Sequence, residues 1–391
     1  MKFRFLVYPF AILLCGLLAC SKNNNSLVTN SGTGVLYIAA QGDSSLTAYT
    51  VALSNGSLTT LGTAQSTGSS PFAIALAPSL NAMFVDNDAS DSVSSYTVNS
   101  DGSLTAGTGT VKTGTMPMGM AIDSGGKFLF VANQGSSSIS VFAITNATLK
   151  EVAGSPFSTI PAGTTIPTGP TALAVSGSGN YLYVANNFTG TVSAYSVSAA
   201  GALAELGGSP YAAGIGPSGV AIPPNGGFLY VANYGSNNIS AFAICDKVVT
   251  SCVDVNHPDG TLKTVAGSPF SDGGGPIAIA IDPSFSYLYV LEKGSNQITV
   301  YAYGTGSGVL TPFAITPTVS TGQTPASFVI FSGATGSDIG NTLTNPTDFV
   351  YVVNNGASTL SAFTLDTATG VLTPLGTAVP TSVNPTAVAA N

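Results

Sequence analysis

The chain has 391 residues, of which 44% are apolar and only 7% charged; 46 are Gly, 23 are Pro and none is Trp. Disorder is excluded, because disordered chains are poor in apolar residues and these are plentiful and periodic. A formal net charge of −8 with 9 Lys and Arg argues against nucleic acid, which needs clustered basic side chains on its phosphates.

From the N-terminus, Lys2 and Arg4 precede an apolar run, Phe5–Ala19, that ends in LLAC at 17–20. The run is short of the ~20 residues of a membrane span, and its flanks suit a secretory signal. LLAC resembles the bacterial lipobox, which would make Cys20 the lipidated first residue of the mature chain. The alternative is an ordinary signal peptide that contains a Cys. Residues 1–19 are thus expected to be a lipoprotein signal peptide and 20–34 a flexible tether. Ser21 rather than Asp follows the Cys, which favours an outer-membrane or cell-surface location. More than one acyl chain on Cys20 would anchor the protein stably. Without Lys2 and Arg4 the mature chain keeps seven Lys, no Arg and all 17 acids, a net charge of −10.

The rest of the chain repeats itself. KFLFVANQGSSSISVFAI (127–144), NYLYVANNFTGTVSAYSV (180–197) and GGFLYVANYGSNNISAFAI (226–244) share one order: apolar run, Asn, small polar turn, second apolar run. Aligned on the aromatic residue there are seven copies, at Tyr37, Phe84, Phe130, Tyr183, Tyr230, Tyr289 and Tyr351. Their spacing of 46 to 62 residues, with several short strands per period, predicts an all-β, seven-bladed propeller of four-stranded blades. In the fifth unit, PSGVAIPP (217–224) reads as the innermost strand and GGFLYVAN (226–233) as a second strand buried on both faces. NNISAFAI (237–244) is the third, and the more polar GTLKTVAG (260–267) is the outer edge. GSPF or GSPY, at 154–157, 208–211 and 267–270, is expected to break the outer strand on the way to the next blade.

Six innermost strands precede their partners, but the first unit, from Val35, has none. The chain ends instead in NPTAVAAN, 384–391. Pro385–Ala390 is therefore predicted to pair with Val35–Ala39 and close the ring over 35–391. Two units carry insertions, 245–259 and about 332–347, both placed on the face opposite the strand two–three turns.

Few residues suggest chemistry. Cys245 and Cys252 are expected to form a disulfide in an oxidising compartment. A metal site there would have to recruit His257, Asp246, Asp254 and Asp259. Asn87, Asn133, Asn186, Asn233 and Asn354 recur at one position, with Ala40 and Glu292 in the other two units. They read either as a polar ring at the channel mouth that holds a sugar or small polar ligand, or as caps of their own turns. Asp86, Asp88 and Asp91 crowd one turn of that face. Carboxylates alternating in this way suit a hard cation such as Ca²⁺, and a solvated acidic turn is the plainer reading. Glu292 is the one Glu near the mouth and a candidate for a catalytic acid or base.

The YVAN and FVAN units, with the PxGxAI strands before them, resemble the YVTN/lactonase-type seven-bladed propellers, a family that includes 6-phosphogluconolactonase-like enzymes. The resemblance implies this fold over residues 35–391 and admits lactone hydrolysis. The His and Arg expected in those channels have no counterpart here, so no catalytic residue is carried over. Three functions follow as expectations. The first is a lipid-anchored envelope module that binds a glycan or another envelope protein. The second is a lactone hydrolase that uses Glu292 or an Asp of 86–91 as general base. The third is a Ca²⁺-dependent adhesin. Ca²⁺ is the only cofactor the motifs admit.

Overall fold

A computed structural model describes residues 33–245, 252, 258–282, 286–313, 317–332 and 348–391, with the short pieces 13–14 and 20–21. Seven antiparallel sheets stand radially around one axis. In blade five, Pro217–Ala221 runs nearest the axis, followed outward by Phe228–Asn233, Asn238–Cys245 and Thr261–Thr264. Every residue of Phe228–Asn233 is buried, because the neighbouring blades cover both of its faces. Blades two to seven repeat this order.

Blade one closes the ring. Its innermost strand is the C-terminal Pro385–Ala390, paired with Thr33–Ala40 in the register Leu36↔Ala390, Ile38↔Val388 and Ala40↔Pro385. Val35 and Asn391 exchange main-chain hydrogen bonds of 3.2 and 2.9 Å. The closing strand is as buried as any other innermost strand, so the last sheet has no open face toward its neighbours.

The core lies between blades rather than within them. Leu36, Ile38 and Val388 of blade one, for example, pack against Val329, Phe349 and Tyr351 of blade seven. The tyrosines of the repeat add a specific clasp. Tyr351 Oη donates to the Gly56 carbonyl (2.9 Å), which ties the last blade to the first. Tyr37, Tyr183, Tyr230 and Tyr289 do the same to Gly102, Gly260, Gly308 and Gly370 of the next blade. Those glycines belong to strand three–four turns and have φ between 68° and 83°. A Cβ at Gly260 would come within 2.3 Å of the Tyr181 ring, so both the turn and the close approach require glycine.

The outer strand differs from the sequence expectation. GSPF and GSPY interrupt it without ending it. After Thr148–Glu151 and the cis Ser155–Pro156 bond, Phe157–Ser158 returns to the same third strand. Ser155 Oγ fills the gap, accepting from Val141 N–H (3.0 Å) and donating to Glu151 Oε1 (3.0 Å). Ser209 repeats this with Ala194 and Glu205.

Candidate functional site

Strand two–three turns and the loops that lead into each innermost strand share one face, where the axis opens into a cavity of about 400 Å³. Two tiers of side chains line it. The lower tier is the residue after the first Pro of each innermost strand: Phe72, Met118, Thr171, Ser218, Ile277, Ala326 and Thr386. The upper tier is the residue that follows strand two: Gln41, Gln134, Asn187, Tyr234, Lys293 and Asn355.

The polar members are positioned by the next blade. Thr386 Oγ1 donates to the Pro71 carbonyl (2.7 Å), Thr171 Oγ1 to Pro217 (3.0 Å) and Ser218 Oγ to Pro276 (3.0 Å). Asn187 Nδ2 reaches the Pro217 carbonyl at 3.0 Å and Asn355 Nδ2 the Pro385 carbonyl at 3.3 Å. Fixed hydroxyl and amide dipoles therefore surround the opening, and Lys293 supplies the one charge in the lining among the described residues.

The recurrent Asn residues lie one position away from this tier. Asn87, Asn133, Asn186, Asn233 and Asn354 are fully buried and point into their own blades. Asn133 Nδ2 donates to Ser138 Oγ (3.1 Å) and Ser140 Oγ (3.0 Å) on strand three. Asn186 bonds Thr191 and Ser193, and Asn354 bonds Thr359 and Ser361. On the other side, Asn233 and Asn354 Oδ1 accept from Gly214 N–H (3.2 Å) and Gly322 N–H (3.0 Å) in the incoming loops. A ring of ligand-binding Asn is thus corrected by one residue: these side chains hold the turns, and their successors face the cavity. The signal was in the sequence, since hydroxyl or amide residues recur five and seven positions after each Asn.

Glu292 follows the same rule and departs from the expected mouth position. It is 1% exposed, and its carboxylate accepts from Gln297 Nε2 (2.7 Å), Ser295 Oγ and Thr299 Oγ1. Beside it lies Asp272, also buried, which accepts from Tyr301 Oη at 2.9 Å. Burial, and then the Glu292 charge, push Asp272 up to about 7, so this corner holds a proton that the amide of an Asn blade does not need. Glu292 does not line the cavity; its neighbour Lys293 does.

The three Asp residues of blade two separate. Asp91, at φ 49°, spends a carboxylate oxygen on Met116 N–H (2.9 Å). Asp86 is fully buried and accepts from Ala73 N–H at 2.5 Å. Asp88 is half-buried on the upper-tier position of its blade. No group of three or more His, Cys, Asp and Glu side chains is arranged to hold a metal among the described residues.

Cys245 and Cys252 form the disulfide, with Cα atoms 5.0 Å apart, at the strand three–four connection on the face away from the cavity. Asp246, Asp254, His257 and most of the 332–347 insertion lie outside the described residues.

The mouth also exposes large apolar side chains. Six of the exposed large apolar residues among the described ones, Met116, Ile166, Phe188, Ile215, Tyr234 and Val383, lie on its turns and incoming loops, and the seventh, Val379, is in the outer strand of blade seven. Phe188 and Tyr234 stand on adjacent blades and are 59% and 47% exposed. Glycines beneath them make room: a Cβ on Gly169 would come within 2.5 Å of the Phe188 ring. Single exposed apolar residues carry no message, but a set confined to one face marks a contact surface.

A ring of seven four-stranded blades, closed by its own C-terminus around an axial cavity of mixed polar and apolar lining, defines a seven-bladed propeller with a pocket of small-molecule size. The chain belongs to the lactonase seven-bladed β-propeller family, whose description, "Lactonase, 7-bladed beta-propeller", matches residues 11–113, 73–155, 145–248 and 245–390.

Among solved structures it is similar to a candidate 6-phosphogluconolactonase from Bacteroides uniformis (17% identity, TM-score 0.74, covering 92% of this chain and 100% of that one). A second such protein, from Bacteroides fragilis, matches at 17% identity and TM-score 0.74 over 93% and 99% of the two chains. The periplasmic gluconolactonase of Pseudomonas aeruginosa matches at 20% identity and TM-score 0.69 over 92% and 99%. At these identities the likeness is one of fold. No curated protein matches the chain by sequence.

Proposed function

We propose that this protein is an extracytoplasmic module that binds an uncharged, polyhydroxylated ligand of the sugar or sugar-lactone class in the axial cavity. Cys20 would supply its lipid anchor at the outer membrane or cell surface. The observation that carries this reading is the lining itself: Gln41, Gln134, Asn187, Asn355, Thr171, Ser218 and Thr386 offer amides and hydroxyls, with a single ammonium at Lys293. Such groups exchange hydrogen bonds with hydroxyls without the desolvation cost of buried charge. Phe188 and Tyr234 at the rim add faces for the apolar side of a ring or of a longer glycan.

Hydrolysis of a lactone is the second reading, favoured by the likeness to the periplasmic gluconolactonase. A base would have to be Asp88, on the upper-tier position of blade two, because Glu292 is sealed away from the cavity. One Lys on a protein of net charge −8 suits a neutral lactone better than a phosphorylated one.

Calorimetric titration with glucono-δ-lactone, its 6-phosphate and a neutral disaccharide tests both readings, with lactone opening followed in a pH-stat. Neutral ligands should bind and the phosphate should add nothing. Gln134→Ala with Asn187→Ala should weaken binding about tenfold, the loss of one or two hydrogen bonds. Absence of binding by every neutral ligand, or binding untouched by the double variant, overturns the first reading. Turnover that is absent in the wild type, or unchanged in Asp88→Asn, removes the second.

A further inference from the structure

The seven-fold repeat allows each junction between blades to be compared with the other six, and one of them is chemically inconsistent as it stands. The first Pro of each innermost strand turns its carbonyl toward the preceding blade. Two positions of that preceding blade can answer it: the lower-tier residue and the upper-tier residue. Pro71 receives the Thr386 hydroxyl, Pro217 the Thr171 hydroxyl and the Asn187 amide, Pro276 the Ser218 hydroxyl, and Pro385 the Asn355 amide. Blades three and six hold Gln134 and Lys293 at the upper position, so they too offer a donor. Blade two offers none. Its lower-tier residue is Phe72 and its upper-position residue is Asp88, the counterparts in the repeat of Thr171 and Asn187, which answer the Pro217 carbonyl.

A second departure coincides with the first. The position two residues before the upper tier is Ala39, Ala132, Ala185 and Ala232 in four blades, yet Asp86 in blade two. Asp86 is fully buried on the side of its strand that faces blade three, as Phe84 does within the core shared by the two blades. Its Oδ1 is used by Ala73 N–H, and its Oδ2 has no partner. Asp88 Oδ1 is buried and has no partner either. Asp88 adds to the upward shift of Asp86, behind burial, and Asp88 is itself raised by burial and then by Asp91. Four sibling junctions match a donor to this acceptor and the other two carry a donor at the upper position, whereas this one collects acceptors only.

We propose that the junction of blades two and three is a binding site for a hard divalent cation of the Ca²⁺ type. Asp86 Oδ2 and Asp88 Oδ1 would be its carboxylate ligands and the Pro117 carbonyl its main-chain ligand, with water completing the shell. All-oxygen donor sets of mixed carboxylate and carbonyl character are what Ca²⁺ selects, and Mg²⁺ is more demanding of geometry. Asp91 is left out because one of its oxygens accepts from Met116 N–H and, unlike Asp86 and Asp88, it has no buried oxygen without a partner. The site lies beside the cavity rather than in its lining, and it stands whether or not the cavity takes a sugar.

The test uses the mature protein stripped with EDTA, returned to buffer, and titrated with Ca²⁺ and with Mg²⁺ while its melting temperature is followed. Tb³⁺ luminescence reports the same site directly. Ca²⁺ should raise the melting temperature by several degrees, with half-saturation at about 0.1–1 mM, the range of extracellular sites, and Mg²⁺ should do less. The variants are taken from the protein's own siblings, so the backbone accepts them: Asp88→Asn restores the amide of blades four and seven, and Asp86→Ala the residue of four other blades. Each should lower the apparent Ca²⁺ affinity at least tenfold, and Asp88→Asn without Ca²⁺ should melt no lower than the stripped wild type. A wild type indifferent to Ca²⁺ and silent with Tb³⁺ overturns the proposal and leaves a proton as the answer to the clustered oxygens. A Ca²⁺ response that survives both variants overturns it equally.

Discussion

The hydroxyl of Tyr351 should be worth more than any exposed tyrosine hydroxyl of this protein, because it joins the last blade to the first. Its donor and acceptor are both buried, and Tyr351 Oη lies 2.9 Å from the Gly56 carbonyl. Tyr351→Phe removes a hydrogen bond worth about 1 kcal/mol net. Where the stripped carbonyl finds no other partner the cost is instead about 1–3 kcal/mol. Ring packing is untouched, so the expected loss is about 1–3 kcal/mol. The protein carries its own calibration: Phe84 and Phe130 occupy the same position without a hydroxyl, so the fold tolerates the change. Denaturant unfolding at 25 °C, read by fluorescence and circular dichroism, should place Tyr351→Phe and Tyr230→Phe together, both below wild type. Tyr234→Phe, on a side chain 47% exposed, should sit within about 0.5 kcal/mol of wild type. If Tyr351→Phe fell with Tyr234→Phe, the clasp would carry no energy. If it fell far below Tyr230→Phe, the ring would not unfold as one unit.

Removing 385–391 should cost most of the roughly 5–15 kcal/mol that keeps a protein folded, and adding the peptide NPTAVAAN should restore resistance to trypsin. A truncated chain that resists trypsin unaided would contradict the closure. The raised pKa of Asp272 makes its neutral form the native one. Its stabilising effect is complete below about 4, the unfolded carboxyl range, and is lost as pH rises through about 7. The unfolding midpoint should therefore fall between those pH values, and Asp272→Asn should flatten the fall, leaving the part due to Asp86; an unchanged slope would remove Asp272 as its cause. Cys20→Ser should move the protein from the membrane to the soluble fraction of its host, and an unaltered distribution would deny the anchor.

Architecture was legible because a propeller writes itself seven times. An aromatic, an Asn and two apolar runs at a spacing near fifty residues leave little else to build, and the unpaired first unit against the surplus final strand required closure. Burial of both faces of strand two follows from composition alone: FLYVAN alternates nothing, so nothing in it could face water. The broken outer strand was harder to see. GSPF resembles a terminus, and only the Ser155 hydroxyl in the gap explains how the ladder resumes at the residue after the Pro.

The site was less legible, for a reason that lies in how a strand ends. Successive side chains of a strand alternate sides, and the last residue before a turn can face either the turn or the axis. Repetition made Asn133 and its equivalents conspicuous, yet repetition argues for structure: what every blade needs, every blade keeps. The cavity is lined instead by positions that vary from blade to blade, among them Gln41, Gln134, Asn187, Tyr234, Lys293 and Asn355. In a pseudo-symmetric protein the building positions are those that agree, and the positions that give one end of the axis its chemistry are those that do not. Blade two obeys this most clearly, since its two departures, Asp86 at the end of strand two and Asp88 in the turn that follows, leave buried oxygens without a partner.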